Sequence, residues 1–354
     1  MTAGTLAGDF IVIGENIHTT RVLRHPGPLV GADAEGREAV RFTDEAGESR
    51  FLPIAEEEKR TQEYAEGRVK HVRSAVCLAI EDAGREADAG RAYLRAMALR
   101  QVERGARFLD INVDEYSHRL PEQIETMRWL VDLIGPIVHV PLSIDSSNLE
   151  IIEAGMDAAD RHAGPPMLNS ASLERVTALD LALSAGGAVI VTAAGESGMP
   201  ANTEGRVVNA SRMIELALDK GIPIEQIYVD PLVFPISVDG GFGEHCLGAF
   251  RQLRERYGPK IHLTGGMSNV SFGLPNRRLI NDVFLVLAIE AGADSGIIDP
   301  TTNSVDRALG LDRTARPFQL ALDVLSGADR HCRAYMKAHR AGELELTELG
   351  AASG

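Results

Sequence analysis

From about residue 90 onward, short β-branched and apolar runs alternate with longer amphipathic stretches, the pattern of β/α units laid around a parallel sheet. Together with one run near the amino terminus they predict eight strands: Phe10 to Glu15, Arg107 to Asn112, His139 to Asp145, Pro166 to Asn169, Ala188 to Thr192, Gln226 to Asp230, Ile261 to Thr264 and Asp294 to Ile298. The amphipathic stretches predict helices over Pro121 to Ile134, Asn148 to Ala159, Ser172 to Ala185, Glu204 to Lys220, Glu244 to Tyr257, Asn276 to Ala291 and Val305 to Ser326. Ser147 and Ser172 stand where a cap is needed, and Gly105, Gly186, Gly221 and Gly292 stand where a helix would close in a left-handed residue. Eight such units over roughly 250 residues predict a closed (β/α)8 TIM barrel rather than an open doubly wound sheet.

The amino-terminal third breaks the rhythm. Roughly ninety residues separate the first two strands, where a βα connection uses about 2–6, so the unit carries an insertion over about residues 26–90. Val40 with Phe42 and Phe51 with Leu52 predict a small hairpin turning near Glu45 to Glu48, and Glu56 to Ala83 and Gly90 to Arg104 predict two helices. Most of the insertion is expected to be padding over the barrel bottom or an oligomer contact. After Ala328 a basic stretch predicts one more exposed helix and a polar tail, about 328–354, as an extension of a single barrel domain.

Composition narrows the partners. With 354 residues, 44% hydrophobic and 25% charged, the chain has ample material for a soluble core. A formal net charge of -15 repels nucleic acid and anionic membrane surfaces, so neither is expected as a partner. Cys77, Cys246 and Cys332 are odd in number and far apart, which predicts neither disulfides nor a zinc site and suits a reducing cytoplasm. No targeting segment or membrane span is read in the chain, and a homodimer is the default assembly.

The chemistry lies in what ends the strands, because a barrel builds its active site from strand ends and the loops behind them. Those ends read Gly14-Glu15-Asn16, Asp110-Ile111-Asn112, Asp145-Ser146-Ser147-Asn148, Asn169-Ser170, Asp230-Pro231 and Gly265-Gly266-Met267-Ser268-Asn269. Any one Asp or Asn after a strand is more often a cap or turn residue. Six at equivalent points predict a polar rim, with Glu15 and Ser268 among its members. Carboxylates and amides without a His pair, a buried Lys or an activated Ser or Cys suit a ligand of alternating donors and acceptors. Mg²⁺ on Asp110 and Asp145 is the weaker reading, since nothing signals substrate phosphates, and no metal is expected. His18 closely follows the first strand and can face the site, whereas His71, His162 and His331 read as surface residues.

Several of these runs resemble a known family. Ile13-Gly14-Glu15-Asn16-Ile17, Leu109-Asp110-Ile111-Asn112-Val113, Leu142-Ser143-Ile144-Asp145-Ser146-Ser147-Asn148, Leu168-Asn169-Ser170, Tyr228-Val229-Asp230-Pro231-Leu232 and Met267-Ser268-Asn269-Val270-Ser271 with Asn276-Arg277 resemble the pterin-binding methyltransferases. Members move a methyl group between 5-methyltetrahydrofolate and the cobalt of a corrinoid protein, as in acetogens and the folate domain of cobalamin-dependent methionine synthase. The resemblance implies that Asp145, Asn169 and Asp230 hydrogen-bond the pterin ring, that Asn269 sits against N5, and that Asp110 and Asn112 complete the rim. It implies Asn269 and Asp145 as the catalytic pair, tetrahydrofolate as methyl donor or acceptor, and a corrinoid carried on a separate protein, since no Asp-x-His-x-x-Gly cobalamin-binding run occurs. A folate-methylating step in a demethylation pathway is the expected setting. The long insertion and the acidic pair Asp114-Glu115 depart from the family pattern. Dihydropteroate synthase is the alternative enzyme, disfavoured because the seventh strand ends without its Lys, and a non-catalytic folate-binding subunit is the alternative outside catalysis.

Overall fold

The structure, a computed structural model, describes residues 9–81 and 83–345. Thirteen strands occur among them: β1 (Ile11–His18), β2 (Val22–Arg24), β3 (Val30–Ala32), β4 (Glu38–Thr43), β5 (Ser49–Pro53), β6 (Arg68–Lys70), β7 (Ala106–Asn112), β8 (Leu142–Asp145), β9 (Met167–Ala171), β10 (Val189–Thr192), β11 (Ile227–Asp230), β12 (His262–Leu263) and β13 (Ser295–Ile298). Eight of them share one sheet in the order β12-β11-β10-β9-β8-β7-β1-β13. The two end strands meet through a parallel bridge between Gly266 and Ile297, where the Ile297 N–H donates to the Gly265 carbonyl at 2.9 Å. This is the strand order of a (β/α)8 barrel, with a helix in each crossover as parallel neighbours require.

The chain divides into two compact units: Gly14–Asn169 with Ala185–Gly187, and Ser170–Ser184 with the chain from Ala188 onward and the opening residues of β1. In the first, Leu149–Ala158 buries Ile151, Ile152, Ala154, Gly155 and Met156, the stripe expected of a helix lying on a sheet. A Cβ on Gly155 would stand 2.6 Å from Ile144 Cγ2 and 2.9 Å from Met127 Cγ, so glycine is what lets this helix reach β8. Its cap is Asn148, accepting from the Glu150 N–H at 2.8 Å, rather than Ser147. In the second unit Thr203–Asp219 is capped by Asn202 and Phe242–Tyr257 stops at Gly258 (φ 74°). The four predicted closing glycines, Gly105, Gly186, Gly221 and Gly292, all take positive φ.

Three predicted helices are shorter than their patterns. The stretch from Ser172 opens with turns and becomes helical only at Ala178, Val305 to Ser326 divides into Val305–Leu309 and Arg316–Leu325 with Pro317 opening the second, and Glu56 to Ala83 is interrupted by Gly67 (φ 77°) and β6. The C-terminal helix Arg333–Arg340 is not wholly exposed: Tyr335 and Ala338, three apart on one face, are buried, and the Tyr335 hydroxyl donates to the Asn276 carbonyl at 3.2 Å. Of the polar tail behind it, residues 346–354 lie outside the described residues.

The expected hairpin is β4–β5, registered Val40 to Leu52 and Phe42 to Arg50, with β3 on its other edge. It packs on Arg85–Glu103, where Phe42 meets Tyr93 edge-on at 5.0 Å. His71, read as a surface residue, is buried there and shares a 2.8 Å hydrogen bond with the Tyr93 hydroxyl. The part of the insertion from β6 through His71–Glu81 is not bottom padding. Lys70 Nζ pairs with Glu115 at 2.9 Å and Arg73 Nε donates to the Tyr116 carbonyl at 3.3 Å, so β6 and the helix after it lie against the loop behind the carboxyl end of β7.

Candidate active site

Within the Gly14–Asn169 unit, strand register gathers the polar groups. Asn112, Asp145 and Asn169 are successive Cα partners across β7, β8 and β9, so their side chains stand in one row on one face. Asp110 lies two residues before Asn112 and therefore beneath it on that face, while Ile111 between them is buried on the other. His18, from the end of β1, reaches Asp110 Oδ2 through Nε2 at 2.8 Å. Asn169 Nδ2 donates to Asp110 Oδ1 at 3.2 Å, and Asn112 Nδ2 donates to Asp145 Oδ2 at 2.9 Å. The Asp114 N–H donates to Asn112 Oδ1 at 2.9 Å, which fixes which end of that amide faces Asp145. Among the described residues, Asp145 Oδ1 and Asn169 Oδ1 meet no donor.

The charges in this group are tightly linked. Burial raises the Asp145 carboxyl to about 7, the neighbouring Asp110 charge adds to the rise, and His18 and the Asn112 amide oppose it. Burial pulls the His18 imidazole down, but the hydrogen bond and charge of Asp110, with Asp145 and Glu15 behind it, leave it raised. The protonation of Asp145 and that of His18 are therefore linked. His18, Asp110 and Asp145 also offer ligand atoms within 4.8 Å of one another, the spacing of a cation site. Asp110 already spends both oxygens on His18 and Asn169, so a cation would have to displace those bonds. Glu15 is 9% exposed and accepts from Arg21 Nη1 at 3.1 Å.

In the other unit Asp230 ends β11, and its Oδ1 accepts from the Leu232 N–H at 2.7 Å, an Asx turn that folds the loop back on the carboxylate. Burial raises Asp230 to about 6, against the Leu232 N–H and the Arg206 charge. Ser268 and Asn269 sit in the 3-10 turn Met267–Ser271. Arg277 ties that turn down, donating to the Ser268 carbonyl at 2.7 Å and to the Ser271 hydroxyl at 3.0 Å. Two glycines make room for these groups: a Cβ on Gly265 would lie 3.1 Å from Asp230 Oδ1, and one on Gly266 2.7 Å from Asn269 Nδ2.

Of the predicted positions, Asp110 and Asn169 are hydrogen-bonded in one set with His18, and Asn112 and Asp145 in a second beside it, with ligand atoms of His18, Asp110 and Asp145 within 4.8 Å of one another. Asp230 and Asn269 are drawn up beside the adjacent glycines Gly265 and Gly266. Sequence reasoning missed Asp114, which accepts from the Ser146 hydroxyl at 2.5 Å and the Ser147 N–H at 2.8 Å, and so anchors the loop after β8. It also missed Arg206. The signal was present: Arg206 precedes Ala210, Met213 and Ala217 in a buried stripe of Thr203–Asp219, a cation at a core position.

The profile of the family described as "Pterin binding enzyme" matches residues 82–299, more than half the chain. This chain belongs to the pterin-binding enzyme family. The methylcorrinoid:tetrahydrofolate methyltransferase of Eubacterium limosum is 31% identical to this pterin-binding enzyme over 260 residues, 72% of this chain and 89% of that protein. The methionine synthase of Mycobacterium leprae is 29% identical over 213 residues, 56% of this chain but only 17% of that much longer protein. Among solved structures, dihydropteroate synthase from Xanthomonas albilineans in complex with 7,8-dihydropteroate aligns with a TM-score of 0.50 at 20% identity, covering 62% of this chain and 83% of that one. That likeness speaks for the barrel fold alone. Among the described residues no helix is long and apolar enough to cross a membrane.

Proposed function

We propose that this pterin-binding enzyme transfers a methyl group between a corrinoid protein and N5 of tetrahydrofolate, as the folate-methylating step of a demethylation pathway. The observation that carries the reading is the Asn112, Asp145, Asn169 row, whose free oxygens on Asp145 and Asn169 present acceptors to the edge of a flat, N–H-rich heterocycle. The Eubacterium limosum relative, matched over 89% of its length, supports the substrates, and its name puts the methylcorrinoid on the donor side. Within these 354 residues no cobalamin-binding run occurs, which favours a carrier protein as the second substrate. The free, buried Cys77, Cys246 and Cys332 suit a cytoplasmic setting.

In the folate-methylating direction both electrons of the cobalt–carbon bond stay on cobalt, giving Co(I). N5 forms the new C–N bond and loses its proton. Asp145 and Asn169 hold the ring so that N5 meets the methyl in line, with Asn112 supporting Asp145 and Asp110 supporting Asn169, and Asp230 is read as a further ring ligand. Asn269 supports the positive charge on N5 through its amide oxygen while the proton departs. In the reverse direction the same amide stabilises the protonated amine that makes N5 a leaving group.

Anaerobic mixing with tetrahydrofolate and methylcob(III)alamin, and then with methylated corrinoid proteins, tests the reading. The expected products are 5-methyltetrahydrofolate and Co(I) in equal amounts. Tetrahydrofolate binding with no methyl transfer from any donor would point instead to a non-catalytic folate-binding subunit.

A further inference from the structure

Arg206 is fully buried, yet among the described residues no carboxylate is hydrogen-bonded to it. Nη1 donates to two consecutive carbonyls, Pro231 and Leu232, each at 2.9 Å. The guanidinium carbon lies 4.7 Å from the Phe234 ring centre and 5.8 Å from that of Phe242, while Nε and Nη2 have no hydrogen-bond partner among the described residues. It also stands in the opening turn of Thr203–Asp219, at the positive end of the helix dipole. Burying a cation there with unmatched N–H groups is destabilising. An apolar side chain would fill the space at less cost, so the clue is what the guanidinium grips. Its two carbonyls belong to the loop directly after Asp230, and between them the chain takes an unusual path: Leu232 has φ 71°, a left-handed conformation that a leucine rarely adopts unaided. That path is what turns the Leu232 N–H back onto Asp230 Oδ1.

We propose that Arg206 is a positioning residue for Asp230, its guanidinium clamping the Pro231 and Leu232 carbonyls so that the loop stays in the left-handed turn that fixes the carboxylate. The inference rests on the reading of Asp230 as a pterin ligand. A clamp differs from a packing residue in one testable way, because it matters only while residue 232 resists the turn. Glycine adopts positive φ freely, so Leu232→Gly should make the clamp dispensable.

The experiment is a double-mutant cycle of R206Q and L232G, with R206K as a second clamp variant, in the full chain. Tetrahydrofolate affinity is measured with the thermal midpoint as the check on folding, and hydrogen exchange of the residue 232 amide is measured without ligand. In the wild-type background R206Q is expected to weaken binding at least tenfold and to speed amide exchange at residue 232 at least tenfold. R206K should behave similarly, because a compact, strongly hydrated ammonium cannot lie flat against the Phe234 and Phe242 rings while it holds the carbonyls. In the L232G background the same R206Q change should alter affinity and exchange less than threefold. The proposal is overturned by a folded R206Q that binds and exchanges like wild type, by equal R206Q effects in both backgrounds, or by loss of folding in both R206Q and R206K. If wild type binds no tetrahydrofolate, the pterin reading fails, and the exchange measurements still decide the clamp.

Discussion

The carboxylates Asp145 and Asp230, both proposed to hold the pterin ring, have different support. Asp145 is held by strand register: Asn112 and Asn169 are its partners on β7 and β9, and Asn112 donates to it directly. Asp230 is held by a loop, through the Leu232 N–H and the backbone that Arg206 grips. Side chains in register need no special backbone, whereas the Asp230 turn needs a left-handed leucine and a buried cation. The first arrangement should tolerate loop changes and fail when one polar side chain is removed. The second should fail by small displacements.

The largest effect expected from breaking the first arrangement follows from Asp145→Ala. Loss of a charged hydrogen-bond partner costs about 1.5 to 3 kcal/mol, so tetrahydrofolate affinity should fall about 10- to 150-fold in a direct titration. Asp145→Asn sharpens the point, since it keeps the shape but turns one acceptor into a donor. It should lose nearly as much affinity while leaving the fold intact. Wild-type affinity in Asp145→Ala would remove Asp145 from the site.

The contrast also explains what the chain disclosed in advance. The strand-ending Asp and Asn residues were legible because a parallel barrel puts strand ends on one rim, and Asn112, Asp145 and Asn169 fall into register with no further information. The hairpin was legible from Val40, Phe42, Phe51 and Leu52, which alternate as a half-buried ribbon must. What stayed hidden depends on contacts remote in sequence. His71 is buried because Tyr93, twenty-two residues away, supplies its hydrogen bond, and no local pattern reports that. The placement of β6 against the loop after β7 likewise rests on Lys70 with Glu115 and Arg73 with Tyr116, pairs set by the tertiary fold. Arg206 was visible as an exception within an apolar stripe, but its targets, the Pro231 and Leu232 carbonyls, were not.

A second test uses protons. Asp145 is raised from an ordinary 3.8 to about 7 in the folded chain, so between those values the folded state keeps a proton that the unfolded state has released. Stability from this group therefore falls as pH rises through that window, and Asp145→Asn should gain thermal stability over wild type progressively between about pH 4 and pH 7 and hold that gain above it. Ligand binding runs the other way. A ring N–H prefers the ionised carboxylate, which is about one-tenth populated at pH 6 and about nine-tenths at pH 8, so affinity should rise roughly tenfold across that range. Calorimetry in buffers of different ionisation enthalpy should detect proton release on binding near pH 7, and its absence would mean that Asp145 does not contact the ligand as a carboxylate.

The smallest effects belong to the glycines of the second arrangement, and they separate binding from chemistry. A Cβ at Gly265 would lie 3.1 Å from Asp230 Oδ1 and 3.0 Å from Val233 Cγ2, so these neighbours must yield by only a few tenths of an ångström. Gly265→Ala should weaken tetrahydrofolate binding a few-fold, since a strained contact of this kind costs about 1 kcal/mol. At Gly266 the added carbon would stand 2.7 Å from Asn269 Nδ2, too close for the amide to stay where it is. If Asn269 acts on N5 during transfer and contributes little to ring binding, Gly266→Ala should lower kcat several-fold with affinity nearly unchanged. Equal losses of affinity in both variants, with kcat untouched, would mean that Asn269 serves the ring as Asp230 does and that charge on N5 is supported by another group.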